Sequence, residues 1–259
     1  MSNTILRNSL DGVTILSLNR PEKYNSFNRE MALELQQALD DCAADDTVRC
    51  IVITGSGKAF CAGQDLSEAS DVANLDFARI VEQQYNATIL RLRHIEKPII
   101  AAVNGVAAGA GANIAFAADI VLASRNAMFI QAFSKISLIP DSGGTYFLPR
   151  LVGPQRALAL TMMGDKITAD EAMQMGLVYR VYDDDMFIQS WQSIAANLAE
   201  GATKAFGLTK RAINQSFNNT LEEQLNLEKV LQVEAGATND FAEGVQAFLE
   251  KRKPVFTGS

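Results

Sequence analysis

The chain has 259 residues, 48% of them hydrophobic and 20% charged, with a formal net charge of −7 and a pI of about 4.9. These values describe a soluble globular chain, long enough for one large domain or a domain with an appendage. The acidic balance speaks against nucleic-acid binding, which calls for a basic stripe, but a few placed cations suffice to hold a phosphate-bearing ligand.

The opening residues lack a basic stretch followed by a long apolar run, so they do not read as a signal peptide. "VTILSL" (13–18) follows the turn signal Asp11-Gly12 and predicts a strand. The period then changes. Met31, Leu35, Ala38, Leu39 and Cys42 share one helical face, with Asn28 placed as N-cap. "CIVITG" (50–55) is continuously apolar, as a strand buried on both faces should be. "FARIVEQQYNATILRL" predicts one helix, with Phe77, Ile80, Val81, Tyr85, Ile89 and Leu92 in phase. Pro98 follows, then the buried strand "IIAAV" and the shorter strands "DIVLAS" and "AMFIQA". The longest apolar run, residues 99–121, is broken by Asn104, Asn113 and many Gly and Ala residues. It reads as buried core rather than a membrane span.

Beyond residue 150 the segments "GPQRALALTMMG", "TADEAMQMG", "DMFIQSWQSIAANLAEG", "ATKAFGLTKRAINQSF", "TLEEQLNLEKVLQVEAG" and "DFAEGVQAFLEKR" all read as helices. The expected architecture is an α/β core over 1–195 and a helical region over 196–259, with the glycines near 201 and 236 as helix stops.

Several chemistries fail on their residues. "GSGKAF" lacks the upstream glycine of a phosphate-cradling loop, and "GAGANI" has Ile114 where a dinucleotide fingerprint needs Gly or Ala. The single histidine, His94, sits in a polar segment and reads as a surface or helix-end residue. No cluster of His, Cys or carboxylates suggests a metal. The cysteines Cys42, Cys50 and Cys61 have neither zinc spacing nor an even count, which predicts a reduced, cytoplasmic protein.

Two strand-to-loop junctions remain, "FCAGQDL" (60–66) and "NGVAAGAGANIA" (104–115). Their small side chains let a ligand approach the backbone, and amides from both can converge on one oxygen; equally, small residues permit close helix–strand packing. Asp141, in "IPDSGGT", is open in the same way. It caps the following helix, or it is a base whose proton affinity is raised by the apolar neighbours Leu138, Ile139 and Phe133.

Taken together, "LNRPEKYNSFN", "IVITGSGKAFCAGQDL", "KPIIAAVNGVAAGAGANIAFAADIVLAS", "IPDSGGTYFLPRLVG", "EAMQMGLVYRV" and "EGVQAFLEKRKPVF" resemble the enoyl-CoA hydratase/isomerase (crotonase) superfamily nearly end to end. The resemblance implies a spiral of ββα units, a C-terminal trimerisation or lid region, and a homotrimer or dimer of trimers. It implies an acyl-CoA thioester substrate, with no separate cofactor, whose enolate is held by the backbone N–H groups of Gln64 and Ala110. Many relatives have Gly at the second place; Ala110 departs but keeps its amide. Substrate and CoA contacts would come from Lys23, Ser26, Ala62, Gly63, Gln64, Asp65, Leu66, Gly109 and Phe133. The segment "SEASDVANLDFARIVEQ" would border the acyl pocket.

Hydratases of the family use two glutamates, whose places fall here on Asn113 and Phe133. Asp141 lies where some isomerases and dehalogenases have an aspartate. Asn113 either orients the acyl group or fills space. The resemblance therefore implies an isomerase with Asp141 as acid and base, most like members that convert the ring epoxide of phenylacetyl-CoA to an oxepin during aerobic phenylacetate breakdown. The alternatives are a Δ3,Δ2-enoyl-CoA isomerase, an enoyl-CoA hydratase and a non-catalytic CoA binder.

Overall fold

The computed structural model describes residues 3–69 and 76–259. Its strands are β1 (Ile5–Leu10), β2 (Val13–Leu18), β3 (Cys50–Gly55), β4 (Ala59–Cys61), β5 (Ile99–Val103), β6 (Val106–Ala108), β7 (Ile120–Ser124), β8 (Met128–Ile130), β9 (Lys166–Thr168) and β10 (Arg180–Tyr182). Its helices are α1 (Arg29–Ala44), α2 (Phe77–Ile80), α3 (Ala87–His94), α4 (Ala110–Phe116), α5 (Gly144–Val152), α6 (Pro154–Met163), α7 (Ala169–Met175), α8 (Asp184–Ala199), α9 (Thr203–Ser216), α10 (Leu221–Gly236) and α11 (Asn239–Glu250).

Two sheets organise the core. The six-stranded sheet has the order β1-β2-β3-β5-β7-β10, and the four-stranded sheet β4-β6-β8-β9. Asp11 and Gly12, both at positive φ, turn β1 onto β2 as an antiparallel hairpin. From β2 onward the larger sheet is parallel. Each pair β3/β4, β5/β6 and β7/β8 gives one strand to each sheet. Helical chain then follows β4 and β6, so successive ββα units wind as a spiral.

The continuously apolar strands are buried twice over. Ile51 and Ile53 face the main core, shared with Leu35, Leu39 and Phe60. Their alternates Cys50 and Val52 face α8, against Phe187, Trp191, Ala195 and Ala199. Asn28 caps α1 by accepting from Met31 N at 2.9 Å. The three-residue strands β4, β6, β9 and β10 are too short to carry a period of two, and sequence patterning did not reveal them.

The helix expected over 77–92 is interrupted. A π-helical turn, Val81–Asn86, lies between α2 and α3. The wider turn changes the phase, so Phe77 points outward while Tyr85, Ile89 and Leu92 are buried. Residues 195 and 196 fall inside α8, which still packs on the larger sheet; the chain leaves that sheet after Ala199. The helix α9 is tied back to the core by Lys210, whose ammonium donates to Leu92 O at 2.7 Å and pairs with Asp119 at 2.9 Å. No helix among the described residues is long and apolar enough to cross a membrane.

Candidate active site

The two small-residue junctions meet. β4 runs into Ala62-Gly63-Gln64, where Phe27 N donates to Gly63 O and Asp65 N to Phe27 O, at 2.6 and 2.8 Å. β6 runs into Gly109, whose N–H donates to Ile130 O at 2.8 Å before the chain turns into α4. Gly109 has φ 52° and ψ −123°, a combination that side chains exclude. A Cβ on Gly63 would lie 2.9 Å from Ala108 O and 3.8 Å from Ala110 N, so the loops touch at the residues beside the two candidate amides. One helical step on, a Cβ on Gly111 would lie 2.3 Å from Cys61 O. The absence of side chains at Gly63 and Gly111 therefore lets β4 and α4 close on each other. Neither Gln64 N nor Ala110 N donates to a protein acceptor among the described residues.

Asp141 is half-buried. Burial raises its proton affinity above the usual carboxylate value, opposed by a 2.8 Å hydrogen bond from Ser142 Oγ. Its side chain does not cap α5: Gly143 is the N-cap residue and no side chain caps that end. The Asp141 backbone carbonyl instead accepts from Gly144 N at 2.8 Å. Ser142 and Gly143 both take positive φ, 51° and 74°, so the chain reverses tightly between Asp141 and the start of α5.

The expected source of the desolvation needs correcting. Ile139 is 81% exposed and Leu138 is exposed as well, so neither encloses Asp141 within the chain. Phe133 is buried, in a 3₁₀ turn, and its ring would lie 3.8 Å from a Cβ on Gly109. It is the apolar wall beside the second junction.

Asn113, on α4 one turn after Ala110, is fully buried and both ends of its amide are engaged. Nδ2 donates to Asp141 O at 2.8 Å, and Oδ1 accepts from Gln131 Nε2 at 2.8 Å. Gly144 packs so closely that a Cβ there would lie 2.4 Å from Asn113 Nδ2. The amide thus joins the Asp141 turn to the helix that carries Ala110, which accounts for it without an acyl-group contact.

The other sequence candidates divide. Arg20 pairs with Asp65 at 2.7 Å and donates to Ser26 O at 2.7 Å, and Ser67 Oγ donates to Asp65 at 2.6 Å. Those bonds, that from Ser67 first, hold the Asp65 carboxyl down to about 2. Asp65 and Ser26 therefore belong to an internal brace. Lys23, Ala62 and Leu66 are exposed along the same edge. Part of the segment expected at the acyl pocket, residues 70–75, lies outside the described residues. Cys61 is buried and its thiol is pushed up to about 12 by burial, which removes it as a nucleophile. His94 is exposed at the end of α3. No group of three or more metal-ligating side chains occurs among the described residues.

Sequence reasoning missed Tyr85 as a site residue. Its hydroxyl donates to Gln64 Oε1, and Gln64 Nε2 donates to Glu68 at 3.1 Å. Burial pushes the phenol well above its ordinary value, and the negative charge of Asp141 adds to that effect. A separate cleft of about 830 Å³ opens between α3, α5 and α9 and reaches this region only at Gly143. Neither Gln64 nor Ala110 is in its wall.

Two unengaged amides thus lie on abutting loops of a spiral ββα frame, and Asn113 ties the turn that carries the half-buried Asp141 to the helix that begins at Ala110. The profile of the family described as enoyl-CoA hydratase/isomerase matches residues 8–259, and the chain belongs to that family. It is 47% identical to the 1,2-epoxyphenylacetyl-CoA isomerase of Escherichia coli (strain K12), over 100% of both chains. It is 45% identical to a probable enoyl-CoA hydratase of Rhodobacter capsulatus, over 96% of this chain and 95% of that one. The crystal structure of a putative enoyl-CoA hydratase/isomerase from Mycobacterium abscessus superposes with a TM-score of 0.93 at 38% identity, covering 98% of this chain and 100% of the other.

Proposed function

We propose that this chain is an acyl-CoA isomerase whose substrate is the ring epoxide of phenylacetyl-CoA and whose product is the oxepin thioester. The observation that carries the proposal is that Asn113 ties the Asp141 turn to the helix that begins at Ala110. Asp141 is half-buried with raised proton affinity and no capping duty, while the family's two glutamate places hold a tied amide and a phenyl ring. The full-length similarity to the E. coli isomerase supports the choice of substrate.

The thioester oxygen accepts from Gln64 N–H and Ala110 N–H. Asp141 takes the α-proton, and the charge that develops on the oxygen is held by the two amides; one such donor is typically worth about 10²–10³ in rate. The C–C bond shared by the epoxide and the six-membered ring opens as the ring π bonds shift, which gives the seven-membered ring, and the same carboxyl group returns the proton to another carbon of the conjugated system. Substrate and product are isomers, so no water, hydride or separate cofactor enters the balance. The same one-base logic serves a Δ3-to-Δ2 double-bond shift.

Hydration is the second reading, favoured by the name of the R. capsulatus relative. It requires a group to activate water, and neither Asn113 nor Phe133 can accept the proton. The large exposed side chains of the C-terminal helices, among them Leu221, Val233, Phe248 and Leu249, support self-assembly, for which the family resemblance suggests a homotrimer or dimer of trimers.

A substrate panel tests the function: the ring epoxide of phenylacetyl-CoA, a Δ3-enoyl-CoA and crotonyl-CoA. Turnover of the epoxide, with crotonyl-CoA hydration weaker by orders of magnitude, is the expected result. Efficient hydration with no isomerisation overturns it.

A further inference from the structure

Tyr85 is not one of the groups that take or return a proton in the scheme above, yet the chain goes to some length to place it. It is 1% exposed and stacks on Phe27, with ring centroids 5.9 Å apart. It sits in the π-helical turn Val81–Asn86, which breaks the regular α-helical hydrogen bonding of that segment. Gln36 of α1 compensates, donating from Nε2 to Gln83 O at 2.9 Å and to Gln84 O at 3.2 Å. Thr88 Oγ1 also donates to Gln84 O, at 2.6 Å. A π turn is an energetic concession in a helix, and here its carbonyls are secured by a buried side chain from another element. What the turn achieves is the direction of Tyr85, whose hydroxyl ends on Gln64 Oε1. The other end of that amide donates to Glu68 at 3.1 Å, and Glu68 also accepts from Arg29 N at 3.1 Å.

We propose that Tyr85 is a positioning residue for the oxyanion site: by fixing the Gln64 side chain between its hydroxyl and Glu68, it aims the Gln64 backbone N–H at the thioester oxygen. The chain of contact runs from α1 through the π turn to Tyr85, then to Gln64. A side chain gripped at both ends restricts the rotations of its own backbone, and an amide donor loses strength steeply as its angle opens. Tyr85 itself transfers no proton in this scheme; its phenolic hydrogen is already committed to the Gln64 amide oxygen.

This inference rests on the thioester enolate reading, and its test separates the two. The probe is phenylacetyl-CoA labelled with ¹³C at the carbonyl, whose C=O stretch is read by infrared difference spectroscopy when bound. The variants are Tyr85→Phe, which keeps the ring and its stack, Gln64→Leu, which keeps the backbone N–H, and the double variant. In the wild type the bound stretch moves to lower frequency than in solution; no shift there removes the oxyanion reading itself.

If Tyr85 positions Gln64, Tyr85→Phe returns the stretch partway to its solution value. It lowers kcat for isomerisation about 10-fold with KM nearly constant, less than the loss of a whole donor. Gln64→Leu gives a similar loss, and the double variant loses no more than either single. The pH profile keeps its shape. An unchanged stretch and kcat in folded Tyr85→Phe overturn the proposal. So do multiplicative losses in the double variant, or a vanished limb of the pH profile, which would make Tyr85 a proton donor instead.

Discussion

Asn113 donates its side-chain N–H to the backbone carbonyl of Asp141 at 2.8 Å, and by that bond the helix carrying one junction amide also holds the turn carrying the carboxylate. The Ala110 amide and the Asp141 turn are thereby referred to one element. Gln131 completes the arrangement from behind, donating to Asn113 Oδ1 at 2.8 Å.

Replacing Asn113 should therefore act through Asp141. Asn113→Leu removes the donor and leaves the Asp141 carbonyl with only Gly144 N. Steady-state kinetics should show kcat falling about 10-fold with little change in KM, since a displacement of about 1 Å in a catalytic group costs up to 10²-fold. Asn113→Glu should not create a hydratase. The added carboxylate would face the Asp141 carbonyl, with Gly144 too near for it to turn away. The expected outcome is no gain in crotonyl-CoA hydration and a stability loss of about 2–4 kcal/mol in urea titration. Efficient hydration by this variant would show that the position is open to substrate.

The raised proton affinity of Asp141 has a sign that can be checked twice. A base must be ionised, so kcat/KM should fall toward acid with a midpoint above 3.8, the ordinary aspartate value. For stability, the folded state binds this proton more tightly than the unfolded chain does. The group's contribution is thus fully present below 3.8 and is lost as pH rises through the folded value. Asp141→Asn should melt at or above the wild-type temperature at pH 7, and the difference should disappear near pH 3. A variant less stable at pH 7 than the wild type would mean that the ionised carboxylate is stabilising.

Ala110 occupies the first position of α4, where proline is accommodated because the N–H has no helical partner. Ala110→Pro deletes that N–H and sets the ring where the thioester oxygen is expected. Turnover should drop by at least about 10² while far-ultraviolet circular dichroism stays that of the wild type. Substantial activity in this variant would remove Ala110 from the oxyanion pair.

Gly111→Ala probes the closure of the two loops without touching either amide. The new Cβ meets Cys61 O, a backbone atom that cannot rotate away. Overpacking of this kind costs about 1–3 kcal/mol. Because the shift separates β4 from α4, activity at a temperature where the variant remains folded should fall too. A loss of stability with full activity would show that the junctions tolerate separation.

Much of this molecule is written in its residue pattern. The paired faces of β3, the cap at Asn28 and the succession of short strands, small-residue junctions and later helices follow from period and turn chemistry. The meeting of the two junctions was only half legible: their small residues fit converging loops and close helix–strand packing alike, and Gly63, at φ 93°, calls for glycine on backbone grounds alone. Besides the three-residue strands β4, β6, β9 and β10, three features were not legible, each for a physical reason. The π turn at 81–86 leaves a sequence that still reads as a helix, since one extra residue per turn alters phase without altering composition. Asn113 presents the same amide whether it faces a ligand or a carbonyl, and only the fold brings Asp141 to it. Whether the Asp141 side chain caps α5 depended on where that helix begins. Ser142 and Gly143, both at positive φ, put Gly143 at the N-cap, and the Asp141 side chain makes no cap bond there.

The central claim is that Asp141 removes an α-proton from a thioester whose oxygen is held by the amides of Gln64 and Ala110. The most direct measurement is exchange of the α-protons of phenylacetyl-CoA in D₂O, followed by proton NMR with wild type and Asp141→Asn. Phenylacetyl-CoA lacks the epoxide, so exchange reports proton removal alone, apart from ring expansion. The account predicts rapid loss of the α-proton signal with the wild type and only the uncatalysed rate with a folded Asp141→Asn. Equal exchange with both proteins would contradict it and place the base elsewhere.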